Sequence, residues 1–497
     1  MMIGRRISRP AVWVGALAAT ALFALAAPAA ATVPLTVVSS DPFTNPTSQH
    51  ATEVEPDTFA NGSTVVAAFQ VGRFFDGGAT DIGFARSADG GATWASGFLP
   101  GLTATSRIGN ATGAPFERVS DPTVAYDARH GVWLISSIPL TSSLGVPYVF
   151  VSRSTDGGFS WSDPVTIPPP PVQTVDLDKN WTVCDNAPGS PFYGHCYTEF
   201  DNFGQGDLEY MSTSIDGGAT WSTPVTPAGH PHGLGGQPVV QPNGTVIVPF
   251  ETLNGTISAF RSTNGGASWT RATTISRIAF HPAAGNLRTS PLPTAEVDGT
   301  GTVYVAWEDC RFRARCSSND IVFSKSSNGV NWSAVARVPI DDVTSTVDHF
   351  IPGLGVDPAT SGSGAHLALT YYYYPNAACT VASCQLDVGF ISSPDGGSHW
   401  GSPTQLAGPM SLADIANTSQ GPMVGDYIST SFNSSGTATT VFAVGLPHTT
   451  AFDEAMYAPA TPLSAASASS ATRAASSARV EIQPTGQGLG AAVIRRN

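Results

Sequence analysis

The octamer "SADGGATW", Ser87 to Trp94, decides the fold, because close copies of it return along the chain. They read "STDGGFSW" at Ser154–Trp161, "SIDGGATW" at Ser214–Trp221, "STNGGASW" at Ser262–Trp269, the one-shorter "SSNGVNW" at Ser326–Trp332 and "SPDGGSHW" at Ser393–Trp400. Ser and Asp or Asn hydrogen-bond to nearby backbone N–H groups, Gly supplies the positive φ of a tight turn, and Trp covers the apolar edge of a hairpin. A catalytic centre needs one set of reactive groups, so equivalent octamers read as structural turns. Their serines stand 67, 60, 48, 64 and 67 residues apart. That loose period suits four-stranded repeats with inserted loops and excludes a short solenoid. Strand-like alternation surrounds the octamers, as in "STVVAAFQV" from Ser63, "GVWLISSI" from Gly131 and "GTVYVAWED" from Gly301.

A second repeat lies upstream of the octamers. "VEPDTFA" from Val54, "SDPTVAY" from Ser120, "DKNWTVC" from Asp178, "GQPVVQ" from Gly236, "PLPTAEV" from Pro291, "FIPGLGV" from Phe350 and "VGDYIST" from Val424 each read as the opening of a first strand, mostly with proline at a matching place. Proline suits a strand's first residue, where its missing N–H costs no ladder bond. These seven openings predict an all-β chain, a β-propeller of seven four-stranded blades over residues 53–457, with six blades as the alternative. Residues 32–52 are expected to lead in or close the ring, and the Ala/Ser-rich stretch 458–497 to be a low-complexity tail.

Arg5, Arg6 and Arg9, the apolar run Ala11–Ala27 and the small residues Ala29 to Ala31 predict a secretory signal over 1–31, and with it a secreted, extracellular product with no stable membrane anchor. Removing those arginines takes the 23 basic residues to 20 against 37 acidic ones, a net charge near −17. Such a surface repels phosphate backbones and anionic lipid, which argues against nucleic acid as a partner. The cysteines fall as close pairs, Cys184/Cys196, Cys310/Cys316 and Cys379/Cys384, and in an exported chain this spacing predicts local disulfides rather than a metal cluster. A monomer without cofactor is expected.

The octamers resemble the Asp boxes, or BNR repeats, of the sialidase superfamily, over Glu53 to Tyr457. The resemblance implies a propeller with the boxes at the blade periphery and a glycoside hydrolase, exo-sialidase-like, acting on an extracellular glycan or glycoconjugate. The stretch "VGRFFDGGATDIGFARS" from Val71 is similar to the sialidase segment in which an arginine that contacts substrate and an aspartate acid/base precede the first box. Arg73 matches the arginine and Asp76 the acid/base. Asp81 competes, but an Asp six residues before the box serine recurs at Asp320 and Asp387, so that position belongs to the blade plan. Tyr427 matches the nucleophilic tyrosine of the final blade, and Glu296, Glu199 or Glu251 is the acid to activate it. Arg311 resembles a sialidase arginine at the end of a second strand. With Arg313 and Arg315 it lies on the loop between Cys310 and Cys316, where guanidinium forks suit a carboxylate; a salt-bridge cluster with Glu308 and Asp309 is the alternative.

One departure bears on substrate. A sialidase's first strand carries an R-I-P motif whose arginine clamps the substrate carboxylate, and here that place reads Glu53-Val54-Glu55-Pro56. With Asp121 before Pro122 and Asp426 beside Tyr427, the mouth is expected to carry an acidic ring that repels a sialic acid. Glu55 and Asp121 can then serve as a carboxylate pair on a neutral glycan, hold Ca²⁺, or cap strand ends. Tyr371 to Tyr374 offer either sugar stacking or core packing. A non-catalytic propeller binding a glycan or protein is the other function class.

Overall fold

The computed structural model describes residues 33–105, 116–449, 451–465 and 472–473. The expected signal and most of the expected tail lie outside the described residues. Strands form where alternation predicts them, and the helical pieces are 3-10 turns of three residues each. Among the described residues, no helix is long and apolar enough to cross a membrane.

The strands group into successive antiparallel units. Unit 1 comprises Gln49–Asn61, Thr64–Arg73, Ala79–Ser87 and Ala95–Phe98; unit 2 comprises Arg118–Asp127, Val132–Leu140, Val149–Ser154 and Val165–Ile167. Unit 3 has Leu177–Cys184, Cys196–Asn202 and Leu208–Ser214, and unit 4 is built on Val239–Val240, Val246–Thr252, Thr256–Ser262 and Thr273–Arg277. Unit 5 runs Thr294–Val297, Val303–Asp309, Asp320–Ser326 and Ala336–Arg337; unit 6 runs Asp348–Val356, Leu367–Tyr374, Gln385–Ser393 and Thr404–Ser411. Unit 7 joins Ser429–Phe432, Thr437–Gly445 and Glu454–Pro459 to the early strand Leu35–Val37, so an early and a late described strand share one sheet. Paired strand continues past Tyr457, since Leu463–Ser464 adds to Thr437–Gly445.

The core lies between units, and period-two alternation puts it there. Val66 and Ala68 pack with Trp133 and Ile135 of unit 2, whereas Ala67 and Phe69 face Val441 and Phe442 of unit 7. Second strands such as Thr64–Arg73 and Val132–Leu140 thus feed two cores, which is why they read as continuous apolar runs. Further clusters join units 2 and 3, 3 and 4, 4 and 5, and 5 and 6. Hydrogen bonds follow the same order around the first strands: Val124 N–H donates to Asp57 Oδ2 (2.7 Å), Thr182 N–H to Thr123 Oγ1 (3.2 Å), Ala295 N–H to Gln237 Oε1 (2.7 Å) and Leu354 N–H to Thr294 Oγ1 (3.2 Å). Thr430 Oγ1 donates to Gly353 O (2.8 Å), and Thr58 N–H to Ser429 Oγ (2.6 Å), which returns to unit 1.

The octamers bond as their residue types dictate. In the first, Ser87 Oγ accepts from Gly91 N–H (2.8 Å), Asp89 Oδ1 accepts from Ala92 and Thr93 N–H (3.1 and 2.9 Å), and Trp94 Nε1 donates to Gly91 O (3.0 Å). Hydrogen bonds led by Thr93 hold Asp89 down at about 2, and Ser160 does the same for Asp156. Each turn also touches a neighbour. Arg86, just before the first box serine, reaches Gly157 O of the next box (2.5 Å), Arg153 reaches Gly217 O (2.7 Å), and Lys325 reaches Gly396 O (3.0 Å). Trp161 packs on Phe84, and Trp400 on Phe323, of the unit before.

One expectation is corrected. Pro238 and Pro293 stand directly before the strands Val239–Val240 and Thr294–Val297, but Pro56, Pro122 and Pro352 do not open theirs: they lie inside Gln49–Asn61, Arg118–Asp127 and Asp348–Val356, each at a register shift. A bulge leaves a residue out of the ladder, so a missing N–H is tolerated there as well. The expected disulfides are present as Cys184–Cys196, Cys310–Cys316 and Cys379–Cys384.

Candidate functional site

The bulges build the site. The residue ahead of each bulge takes positive φ although it is not glycine: Glu55 (60°), Asp121 (52°), Lys179 (48°) and Ile351 (49°). Such backbone is uncommon outside glycine and clusters where a fold re-aims a side chain. Here it turns Glu55, Asp121 and Lys179, from three successive units, toward each other. Lys179 Nζ lies 3.7 Å from Glu55 Oε1 and 3.8 Å from Asp121 Oδ2, and it pairs directly with Asp426 Oδ2. Arg288 grips Asp426 from the other side, Nε to Oδ1 at 2.6 Å and a second bond to Oδ2. All but the partly exposed Arg288 are buried.

The electrostatics follow from that packing. Burial and Asp121 push Glu55 up to about 8 against the pull of Lys179. Asp426 falls far below the carboxylate range because Arg288 and Lys179 outweigh its burial. Burial and the nearby Arg288 guanidinium lower Arg73 to about 10. Arg73 donates from Nη1 to Gln70 Oε1 (3.0 Å), and Gln70 in turn donates to Glu55, but Arg73 Nε is buried with no partner. The expected acidic ring is thus corrected to a nearly balanced one, with Arg73, Lys179 and Arg288 set among Glu55, Asp121 and Asp426.

Above this cluster is a crevice lined by Arg73, Asp76, Asp121, Asp178, Lys179 and Arg288, with Gln420 at its edge. Asp76 is the exposed carboxylate, 43% accessible, and pairs with Arg118, which stacks over Phe74 at 4.1 Å. Tyr427 sits beside the crevice rather than in it, against Trp181 (ring centroids 5.1 Å apart). Its hydroxyl donates to Pro122 O at 2.9 Å. Burial raises the phenol well above its usual value, and Glu55, Asp121, Asp57 and Asp426 add to that.

The remaining expected residues lie apart from the crevice. Glu296 lines an inner cavity together with Asp57. Glu199 is buried against Gly236, and Glu251 is buried in the second strand of unit 4. Arg311 is held by Asp309, Ser276 and Arg277 O, and Arg313 by Asp320, Asp341 and Asp342 O. Among the described residues, Asp320, Asp341 and His349 come close enough to ligate a metal, but Arg313 and Arg337 already pair with both carboxylates. Tyr371 and Tyr372 are core residues.

Sequence reading missed Lys179 and Arg288. Lys179 had a signal: in the aligned openings "VEP", "SDP" and "DKN" it holds the place of Glu55 and Asp121. Arg288 lies in the connection between units 4 and 5, where no repeat marks it.

No family model and no curated protein matches the sequence. Among solved structures, the chain is similar to an ulvan lyase of polysaccharide lyase family PL25, at 12% identity over 85% of this chain and 95% of that one, with a TM-score of 0.50. It is also similar to the Hadza microbial sialidase Hz136 (15% identity, 84% and 67% covered, TM-score 0.42) and to the NanB sialidase of Streptococcus pneumoniae (13%, 87% and 70%, TM-score 0.41). At these identities the likeness is one of fold, all-β and built from many sheets.

Proposed function

We propose that the units close a seven-bladed β-propeller and that the crevice at one mouth, in the secreted protein, hydrolyses glycosidic bonds of an extracellular glycan. The cyclic order of inter-unit hydrogen bonds, returning from Ser429 to Thr58, supports the closed ring. The convergence of Arg73, Asp76, Asp121, Lys179 and Arg288 on one crevice carries the functional reading. Glycoside hydrolysis needs two carboxyl groups, one to protonate the leaving oxygen and one to activate water or attack. Asp121 and Asp76 take those roles. Glu55 shares Lys179 with Asp121 and so helps to hold that lysine beside it. Since Lys179 and Arg288 are already paired with Asp426, the site favours a neutral sugar over a sialic acid.

A panel of 4-methylumbelliferyl glycosides, the sialoside included, tests this on the native protein and on Asp121→Asn and Asp76→Asn. The expected result is turnover of a neutral glycoside that each variant lowers by at least about a hundredfold. No turnover of any glycoside, with sugars still retained on a glycan array, replaces hydrolysis by binding.

A further inference from the structure

At the other end of the first strands lies a second cavity, of about 520 Å³, within the range of small-molecule sites. Glu55 of the buried cluster and the crevice residues Asp121 and Lys179 come early or midway in their strands, whereas this cavity takes in the later residues Asp57–Asn61, Val183 and Val297 and runs out past the hairpin residues Pro242, Gly299 and Pro358. Trp181 borders it on the side of Tyr427. Its wall is apolar and aromatic, with Phe59, Trp181 and Phe432 among several valines.

Its charge is one-sided. Asp57, Glu296 and Asp298 line it, and no Lys, Arg or His does among the described residues. Asp57 is anchored, accepting from Thr58 N–H (2.8 Å) and Val124 N–H (2.7 Å), so its carboxyl is a fixed feature of the wall. An apolar chamber with aromatic faces and carboxyl groups of one sign complements a cation that carries hydrocarbon, through ring faces and charge together.

We propose that this inner cavity binds an organic cation of the alkylammonium class, at a site separate from the crevice and independent of whether the crevice hydrolyses glycans. Burial and Asp57 raise Glu296 to about 8, and burial raises Asp57 to about 7; Asp298 at the rim is lowered by its hydrogen bonds. The cavity therefore gains negative charge as pH rises through neutrality, and cation binding strengthens with it.

Calorimetric titration of the full-length native protein with hexyltrimethylammonium, whose charge does not depend on pH, tests the site. Binding is expected to be at least about tenfold tighter at pH 8.5 than at pH 5.5, and Glu296→Gln to remove most of that difference. Hexanoate, equal in chain length and opposite in charge, is expected not to bind. Spermidine and a lysine-ended peptide, titrated in parallel, tell a free amine from a protein side chain as the source of the cation. Hexanoate binding as well as the cation does, or a cation affinity that neither pH nor Glu296→Gln changes, overturns the proposal. The pH and hexanoate arms need no variant, so a misfolded Glu296→Gln does not leave the question open.

Discussion

Tyr427 shows how far a residue's place in a sequence can differ from its chemistry. Resemblance puts it where a nucleophile stands, yet its hydroxyl donates to the backbone oxygen of Pro122, and burial, with the carboxylates around it, raises the phenol. In Tyr427→Phe, loss of that buried hydrogen bond is expected to cost about 1 kcal/mol in urea unfolding. Turnover on the best glycoside should stay within about threefold of native, against the hundredfold loss in Asp121→Asn. A drop as deep as that of Asp121→Asn would assign the phenol to the chemistry. Arg73, Asp76 and Asp121 were legible because motif and repeat marked their positions. Lys179 was not, because what makes it a site residue is its partners Glu55, Asp121 and Asp426, which lie 124, 58 and 247 positions away.

Two repeated elements divide the labour. The octamer turns fasten one unit to the next, and the bulges aim side chains inward. The octamers were readable because their bonds close within a few residues, Ser87 to Gly91 and Asp89 to Thr93. The bulges were misread as strand starts, because proline is compatible with either and the register shift shows only against the paired strand. Gly91 sits where the first turn meets unit 7, at φ 102°, and a Cβ there would lie 2.6 Å from Thr439 Oγ1. Gly91→Ala is expected to destabilise by about 2–3 kcal/mol through backbone strain and overpacking. Gly131→Ala, at φ 66° with open space around it, should cost only about 1 kcal/mol. Equal urea midpoints for the two would contradict the fastener role. Turnover per folded molecule should be native in both.

At the scale of the whole molecule, buried carboxyl groups set the pH range of stability. Burial raises Glu53, Asp57 and Glu251 to about 7, and Glu55 and Glu296 to about 8. A raised carboxyl binds its proton more tightly in the folded state, so its contribution is full below the unfolded value near 4 and is lost as pH rises through 7 to 8. Asp89 and Asp156, lowered to about 2, act oppositely: their contribution is present above about 4 and lost as pH falls through 2. Stability is therefore expected to peak at about pH 4 and to decline from there toward pH 8.5. Urea midpoints at pH 5, 7 and 8.5 measure this, and a midpoint that holds or rises across the series contradicts it.

By itself the sequence determined the all-β class, the repeating unit, the turns and the cysteine pairs. Each rests on interactions between residues near in sequence, or on a two-residue alternation that local order preserves. Only the tertiary structure decided which ionisable groups meet: that Lys179 and Arg288 neutralise the acidic mouth, that Arg311 and Arg313 serve structural ion pairs, and that Glu296 faces a second cavity. Coulomb energy and desolvation depend on distances between units, and a linear repeat carries no record of those distances.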